Sequence, residues 1–390
     1  MKKKLSLVLI ALLTFNLVAC STTPSATNNV ENTTPAEIST SDETSLSAQS
    51  SLAVEASTSD NSCTSTEASD LEETSEASNT DDKSISRIAA SGPLAQIMLY
   101  AIAPEMFVGL ASEWDDNDTG IIPKDFLDLP YLGQLYSSAD LNIEQLALAN
   151  PQLIIDIGEK KPSSDEDMLN LQKQTNIPCT FVEATLSTMP QAYRELGSIL
   201  GKESEGEELA SFLEKTYNRT MSIMEKVGDN KVKVLYISGE EGLNVLGKGS
   251  YHAELLDILT DNIAVFDDPS SKGLGNLVDM EQIALMNPDF MIFAPESIYD
   301  SVSDNTSWAN LKAIQNKNYV EVPSGPHNWM GTPPSVQRYL GMIWLTYVLY
   351  PEYCDYDVKE EILEYYRLFY HCELTDEQYN ELTKNAFINN

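Results

Sequence analysis

Eighteen residues occur twice in this chain, 137 positions apart, and that repeat limits its architecture more than any other feature. Leu141–Gly158 (LNIEQLALANPQLIIDIG) and Val278–Pro295 (VDMEQIALMNPDFMIFAP) are identical at seven positions and conservative at most others. Each copy reads as a short helix, Glu-Gln-x-Ala-Leu, which stops at Asn-Pro because the residue before a proline is pushed out of the helical region. A buried strand follows. An offset of this length is domain-sized, far beyond the ~20–50 residues of a solenoid repeat. The chain is therefore expected to hold two similar α/β lobes.

Between the copies, Glu203–Val227 carries Leu209, Phe212, Leu213, Tyr217, Met221 and Met224 at helical spacing. A helix of that length runs about 38 Å, enough to bridge two lobes. Gly228-Asp229-Asn230 ends it. Short β-branched or apolar runs predict strands at Arg87–Ala90, Phe107–Leu110, Leu153–Ile157, Thr180–Val182, Lys233–Ile237, Phe290–Phe293 and Tyr319–Val322. Their alternation with helical segments argues for α/β architecture: two lobes joined by one long rigid helix, with a ligand cleft between them. The expected boundaries are 85–202 for the first lobe, 203–229 for the connecting helix and 230–390 for the second lobe with its C-terminal helices.

The N-terminal part is of a different kind. Lys2, Lys3 and Lys4 precede an apolar run that closes on Leu17-Val18-Ala19-Cys20, which reads as a secretion signal over residues 1–19. No run reaches the ~20 apolar residues that a membrane-spanning helix needs. Cys20 following Leu-Val-Ala is similar to the lipobox of bacterial lipoproteins, in which that cysteine carries the lipid. From there to residue 84 the chain is rich in Ser, Thr, Glu, Asp and Asn, and it cannot offset its chain entropy by burial. An acidic disordered tether is expected, with thirteen acids against Lys83. The whole chain has formal charge −36; with the tether at −12 and the signal lysines at +3, the remainder holds −27. Broad phosphate neutralisation is excluded, and with it non-specific nucleic-acid binding. Three histidines and five cysteines form no CxxC or HExxH arrangement, so no structural zinc site is expected. Whether Cys354 and Cys372 pair is left open.

Signal, tether, the two-lobed repeat and the bridging helix together resemble a class III solute-binding lipoprotein of an ABC importer, the kind that delivers ferric siderophores, haem or cobalamin. Two segments carry the resemblance furthest: Pro323–Leu345 (PSGPHNWMGTPPSVQRYLGMIWL) and Tyr365–Thr375 (YYRLFYHCELT). They are similar to a subgroup of iron-complex binding proteins whose relatives take molybdate or tungstate. The resemblance implies an extracytoplasmic, lipid-anchored receptor. Its partners would be a ferric complex and a permease dimer, and it would hold no cofactor of its own. It also implies that Glu144 and Glu281, equivalent positions of the repeat, dock on arginines of the permease; taken alone, each is equally a helix-stabilising acid near an N-terminus.

In two-lobed α/β proteins the ligand lies beyond the carboxyl ends of the strands, where loops of both lobes meet. In the first lobe this selects Ser91-Gly92-Pro93 and Glu159. In the second it selects Tyr251 and His252 after Gly249, Glu296, and the loop Gly325–Gly331 with His327, Asn328, Trp329 and Met330, followed by Arg338. His327, His252 and Met330 are the candidates to coordinate or hydrogen-bond, Trp329 offers a flat face to a macrocycle or cation, and Arg338 suits an anion or a neighbouring acid. No metal is assigned to them. Gly242–Lys248 begins like a phosphate-binding loop, but Gly249 stands where the magnesium-binding Ser or Thr belongs. No nucleophile elbow or dinucleotide fingerprint is present, so no catalysis is expected. The expected function is capture of an iron complex, with haem, cobalamin or a metal oxyanion as alternative ligands. An exported enzyme or surface adhesion protein on the same scaffold is the alternative of another class.

Overall fold

The computed structural model describes residues 84–114, 120–134 and 141–388. The signal, Cys20 and the tether to residue 83 lie outside the described residues. The first lobe comprises β1 (Ile88–Ala90), α1 (Pro93–Ile102), α2 (Lys124–Leu127), α3 (Ile143–Ala149), β2 (Leu153–Gly158), α4 (Ser164–Thr175), β3 (Cys179–Glu183) and α5 (Met189–Leu200). The bridging helix is α6 (Glu203–Val227). The second lobe follows with β4 (Lys233–Ser238), β5 (Asn244–Val245), α7 (Glu254–Leu259), β6 (Asp261–Asn262), β7 (Asn276–Leu277), α8 (Met280–Met286), β8 (Phe290–Phe293), α9 (Lys312–Gln315) and β9 (Tyr319–Glu321). Helices α10 (Arg338–Leu349), α11 (Val358–Phe369) and α12 (Asp376–Leu382) complete the chain.

Strands β1, β2 and β3 form a parallel sheet in that order, with Ile88 opposite Leu153 and Ile155 opposite Thr180. In the second sheet the order is β7-β5-β4-β8-β9. β4, β8 and β9 are parallel, while β5 and β7 add an antiparallel margin at the end of β4. The lobes thus share a parallel centre and differ at the edge.

The repeat is built the same way in both lobes. Asn142 and Asp279 cap the helices by accepting hydrogen bonds from the backbone of Gln145 and Gln282 at 3.0 and 2.8 Å. Both helices end in left-handed asparagines, Asn150 (φ 49°) and Asn287 (φ 48°). Asparagine tolerates that region, and the proline after it bars a further helical turn. Leu146 and Ile283, the residues between Gln and Ala, are buried.

One expected strand is absent. Phe107 and Leu110 make only isolated bridges, to Ile88 and Tyr131 respectively. The segment changes partner within four residues: Val108 donates to Ile88 at 3.1 Å and Leu110 to Pro130 at 2.8 Å, so no ladder propagates.

Helices α5 and α6 cross closely where Gly197 meets Gly206. A Cβ on Gly206 would stand 2.5 Å from the Tyr193 carbonyl oxygen, a backbone atom that cannot swing aside. Gly206→Val is expected to destabilise the protein by about 1–3 kcal/mol through overpacking. A denaturant midpoint equal to that of the parent would refute this.

The bridging helix does not hold the lobes alone. One apolar core runs from Ile88 and Ile155 of the first sheet through Phe212 and Leu213 of α6 to Tyr236 and Ile292 of the second. Tyr339 on α10 donates to the Leu186 carbonyl at 2.6 Å, and Tyr365 and Phe369 on α11 stack at 4.4 Å beside Phe212 and Tyr193. Arg219 on α6 donates to both Glu361 carboxylate oxygens, at 2.8 and 3.1 Å. Partial burial of Glu361 favours its neutral form, yet Arg219 and Lys215 outweigh this and hold the carboxyl below its usual range. The two lobes are thus joined through a shared apolar core as well as through α6.

Candidate functional site

The cleft begins where the central strands end. Ser91, one residue beyond β1, is buried and donates to Asp156 on β2 at 2.5 Å. Gly92 and Pro93 then open α1, with Gly92 in extended conformation and no side-chain cap on the helix. Open space surrounds the position a Gly92 Cβ would take. Glu159, exposed after β2, stands on the same wall.

Across from it, Gly249 (φ 83°) turns the chain into Ser250-Tyr251-His252. Asp257 on α7 fixes that turn: one carboxylate oxygen accepts from the Gly249 amide at 2.7 Å and the other from Asn262 Nδ2 at 2.8 Å. Tyr251 is 38% exposed. Two adjoining spaces, of about 860 and 560 Å³, share Glu159 and Tyr251. The larger is closed behind by Met221 and Met224 of α6, and the smaller reaches Asp156 and Gly158 in the first lobe and Ser271 in the second. A third space, of about 440 Å³, lies over the ends of β4 and β8 and is lined by Tyr236, Ser238, Glu296, His327 and Asn328.

Arg338 is 1% exposed. Nη1 donates to Glu254 at 2.5 Å, the guanidinium lies 5.9 Å from the Tyr251 ring centre, and Nε has no partner. Its stem packs on Gly331 (φ 97°), where a Cβ would come within 2.6 Å of it. His252 is half-buried beside Gly273, with Nδ1 unpartnered; burial lowers its basicity. The Ser250 hydroxyl and His327 Nε2 are likewise buried without a partner. His327 meets Trp114 of the first lobe edge-on at 5.1 Å, and burial pulls its pKa down to about 4.

Two expectations need correction. Trp329 has no exposed surface: its Nε1 donates to the Tyr366 hydroxyl at 3.1 Å, and that hydroxyl donates to the Gly325 carbonyl. Met330 is 4% exposed. Both point into the apolar core beneath the loop, because a large indole with a single polar atom is best accommodated where that atom finds one acceptor. They present no face to the cleft. Asn328 is mostly buried as well, donating to Tyr236 at 3.2 Å and accepting from the Met330 amide at 2.7 Å, yet it still borders the third space.

Tyr251 is the exposed aromatic ring of the cleft instead. Asp156, Trp114 and Glu254 were not singled out from the sequence, whereas Ser250 belongs to the loop that the sequence selected with Tyr251 and His252. Asp156 had a signal, an acid inside an otherwise apolar strand run; the rest depend on which loops meet. No group of three or more His, Cys, Asp or Glu among the described residues is arranged to hold a metal ion. Cys354 and Cys372 are not joined by a disulfide.

Comparison with known proteins accords with this geometry. A family profile described as "Periplasmic binding protein" matches residues 126–326, just over half of the chain. The chain belongs to that family. Among solved structures, an ABC transporter solute-binding protein from Sulfurospirillum deleyianum is 29% identical, with a TM-score of 0.70 over 77% of this chain and 95% of the other. A periplasmic solute-binding protein from Veillonella parvula is 24% identical, with a TM-score of 0.65 over 78% and 94%. A molybdate periplasmic binding protein of an ABC transporter from Haemophilus influenzae is 18% identical, with a TM-score of 0.59 over 75% and 94%, which concerns the fold alone. No curated protein matches the chain. The family and the two solute-binding neighbours are binding proteins. Among the described residues no helix is long and apolar enough to cross a membrane.

Proposed function

We propose that this protein is the extracytoplasmic receptor of an ABC importer, exported by residues 1–19, anchored through a lipid on Cys20, and specific for an iron complex of the ferric siderophore kind. The observation that carries the reading is the pair of adjoining spaces sharing Glu159 and Tyr251. Their volumes, about 860 and 560 Å³, fall within the ~300–1,000 Å³ usual for small-molecule sites, which leaves room for an organic chelate. Glu159, Glu225, Glu254 and Asp257 outnumber Lys231 around the larger one, which favours a complex without strong negative charge.

In this reading Ser91, Gly92, Pro93 and Glu159 form one wall, and Tyr251, His252, Glu296, His327, Asn328 and Arg338 the other. The unpartnered Ser250 hydroxyl and His252 Nδ1 gain hydrogen bonds from the ligand's polar groups, and Tyr251 covers its apolar part. The shared core leaves the cleft largely preformed, so affinity does not depend on wide lobe closure. Glu144 and Glu281 then present the loaded protein to the permease.

A second reading has one specific observation behind it. Arg338 Nε is buried and unpartnered, which suits an oxyanion such as molybdate or tungstate. Thermal unfolding of the purified full chain separates the two. A ferric siderophore at one hundred times its dissociation constant is expected to stabilise the protein by about 2.7 kcal/mol. A shift with molybdate or tungstate alone would replace the iron reading with the oxyanion one, and no shift with siderophores, haem, cobalamin or oxyanions would overturn both.

A further inference from the structure

The repeat leaves an apolar side chain in solvent twice. In the shared Glu-Gln-x-Ala-Leu segment, the residue at x is buried in each lobe, yet the final leucine is not: Leu148 is 78% exposed and Leu285 80%. These residues stand at equivalent positions, 137 apart, each one helical turn beyond its glutamate, Glu144 or Glu281. Both glutamates are exposed too. Each lobe therefore displays one carboxylate and one apolar knob side by side on a short helix. Around them lie further exposed apolar residues, Ile143 (42%) by the first pair and Leu277 (77%) by the second.

From this we infer that Leu148 and Leu285 are the apolar anchors of the permease-docking surface, inserting into two equivalent sockets beside the basic groups that receive Glu144 and Glu281. The inference rests on the importer reading above. Helices α3 and α8 each run back along the strand that follows after a three-residue turn, so their first turns lie toward the carboxyl ends of β2 and β8, the cleft side of each lobe. A partner built on a two-fold axis presents the same socket twice, and a chain with two copies of one surface unit is matched to it.

Charge selects among occupants. A second copy of this chain would bring Glu144 and Glu281 against their like in a molecule of formal charge −36, and an anionic lipid surface would repel them equally. A protein face with basic groups around an apolar hollow is complementary. Apolar side chains that lose their water at such a contact contribute affinity in proportion to the area buried, with charges at the rim steering the encounter.

The test uses the cognate permease in lipid nanodiscs, with the full chain loaded with a ferric siderophore. Leu148→Ser and Leu285→Ser are each expected to weaken docking by about tenfold and the double variant by about a hundredfold. Melting temperature and ligand affinity should stay unchanged, since both residues are already solvated. Glu144→Lys and Glu281→Lys serve as comparators. If the glutamate variants dock poorly while the serine variants dock like the parent, the leucine inference falls and the importer reading stands. If the parent itself neither binds the permease nor stimulates its ATP hydrolysis, the importer reading falls and takes the inference with it. A parent chain that sediments as a dimer, and a double serine variant that does not, would assign the leucines to self-association instead.

Discussion

Truncating Trp329 to alanine is expected to lower the stability of this protein by about 3–5 kcal/mol, the cost of emptying a buried indole site. The ring packs against Trp344 and Tyr366, and the Tyr366 hydroxyl that accepts its N–H hydrogen bond also donates to the Gly325 carbonyl. Removing it opens a cavity and loosens the base of the Gly325–Gly331 loop. Trp329→Phe keeps most of the volume and loses the hydrogen bond, so a smaller loss, about 1 kcal/mol, is expected. Denaturant midpoints measure both. A Trp329→Ala protein of parental stability that no longer binds ligand would show the indole facing the cleft, as the sequence suggested, and would contradict the structure.

Acid should weaken the same loop through His327. Burial lowers its pKa from an ordinary 6.5 to about 4, so between these values the unfolded chain takes up a proton that the folded one refuses. The stabilisation is complete above pH 6.5 and is lost as pH falls toward 4. Two and a half pKa units correspond to about 3 kcal/mol. Glu361, held below its usual range by Arg219 and Lys215, adds a loss of the same sign, which begins as pH falls through the ordinary carboxylate value. Comparison with His327→Phe isolates the histidine, since phenylalanine preserves the edge-on contact with Trp114 and cannot be protonated. The parent is expected to lose about 3 kcal/mol more than the variant between pH 7 and pH 4. Parallel pH profiles would show that the imidazole is not buried in solution.

Several elements were legible before any coordinates. The bridging helix was expected at Glu203–Val227 and is found there, because its apolar spacing, first-turn acids and terminal glycine all agree. The strands at Leu153, Lys233 and Phe290 follow from runs too apolar to face water on either side. The short strands β5 and β7 escaped notice, being two residues long and defined by pairing with each other and with β4 rather than by any pattern of their own. Phe107–Leu110 had the pattern of a strand without a constant partner, and no local signal reports that.

The site divides along the same line. The rule that ligands lie beyond the carboxyl ends of parallel strands named candidate loops, and Glu159, Tyr251, Glu296, His327 and Asn328 from those loops border the spaces of the cleft. Which side chains enter it could not be read that way. Trp329 and Tyr251 both sit in glycine-flanked loops and looked alike as candidates, but one is sealed in the core and the other borders both spaces. Arg338 was read as an anion ligand or the partner of an acid, and Glu254, 84 residues earlier, is the partner it found.

From the sequence alone came the two lobes, the helix between them, the end of each repeat helix and the acidity of the surface, all properties carried by neighbouring residues or by periodicity along the chain. Tertiary structure decided the rest: which side chains are buried, where Arg338 finds its counter-charge, and why Leu148 and Leu285 remain in water while Leu146 and Ile283 do not. The physical reason is that burial and pairing depend on residues distant in the chain, and their selection is made only when the two sheets, α6 and the C-terminal helices close on one another.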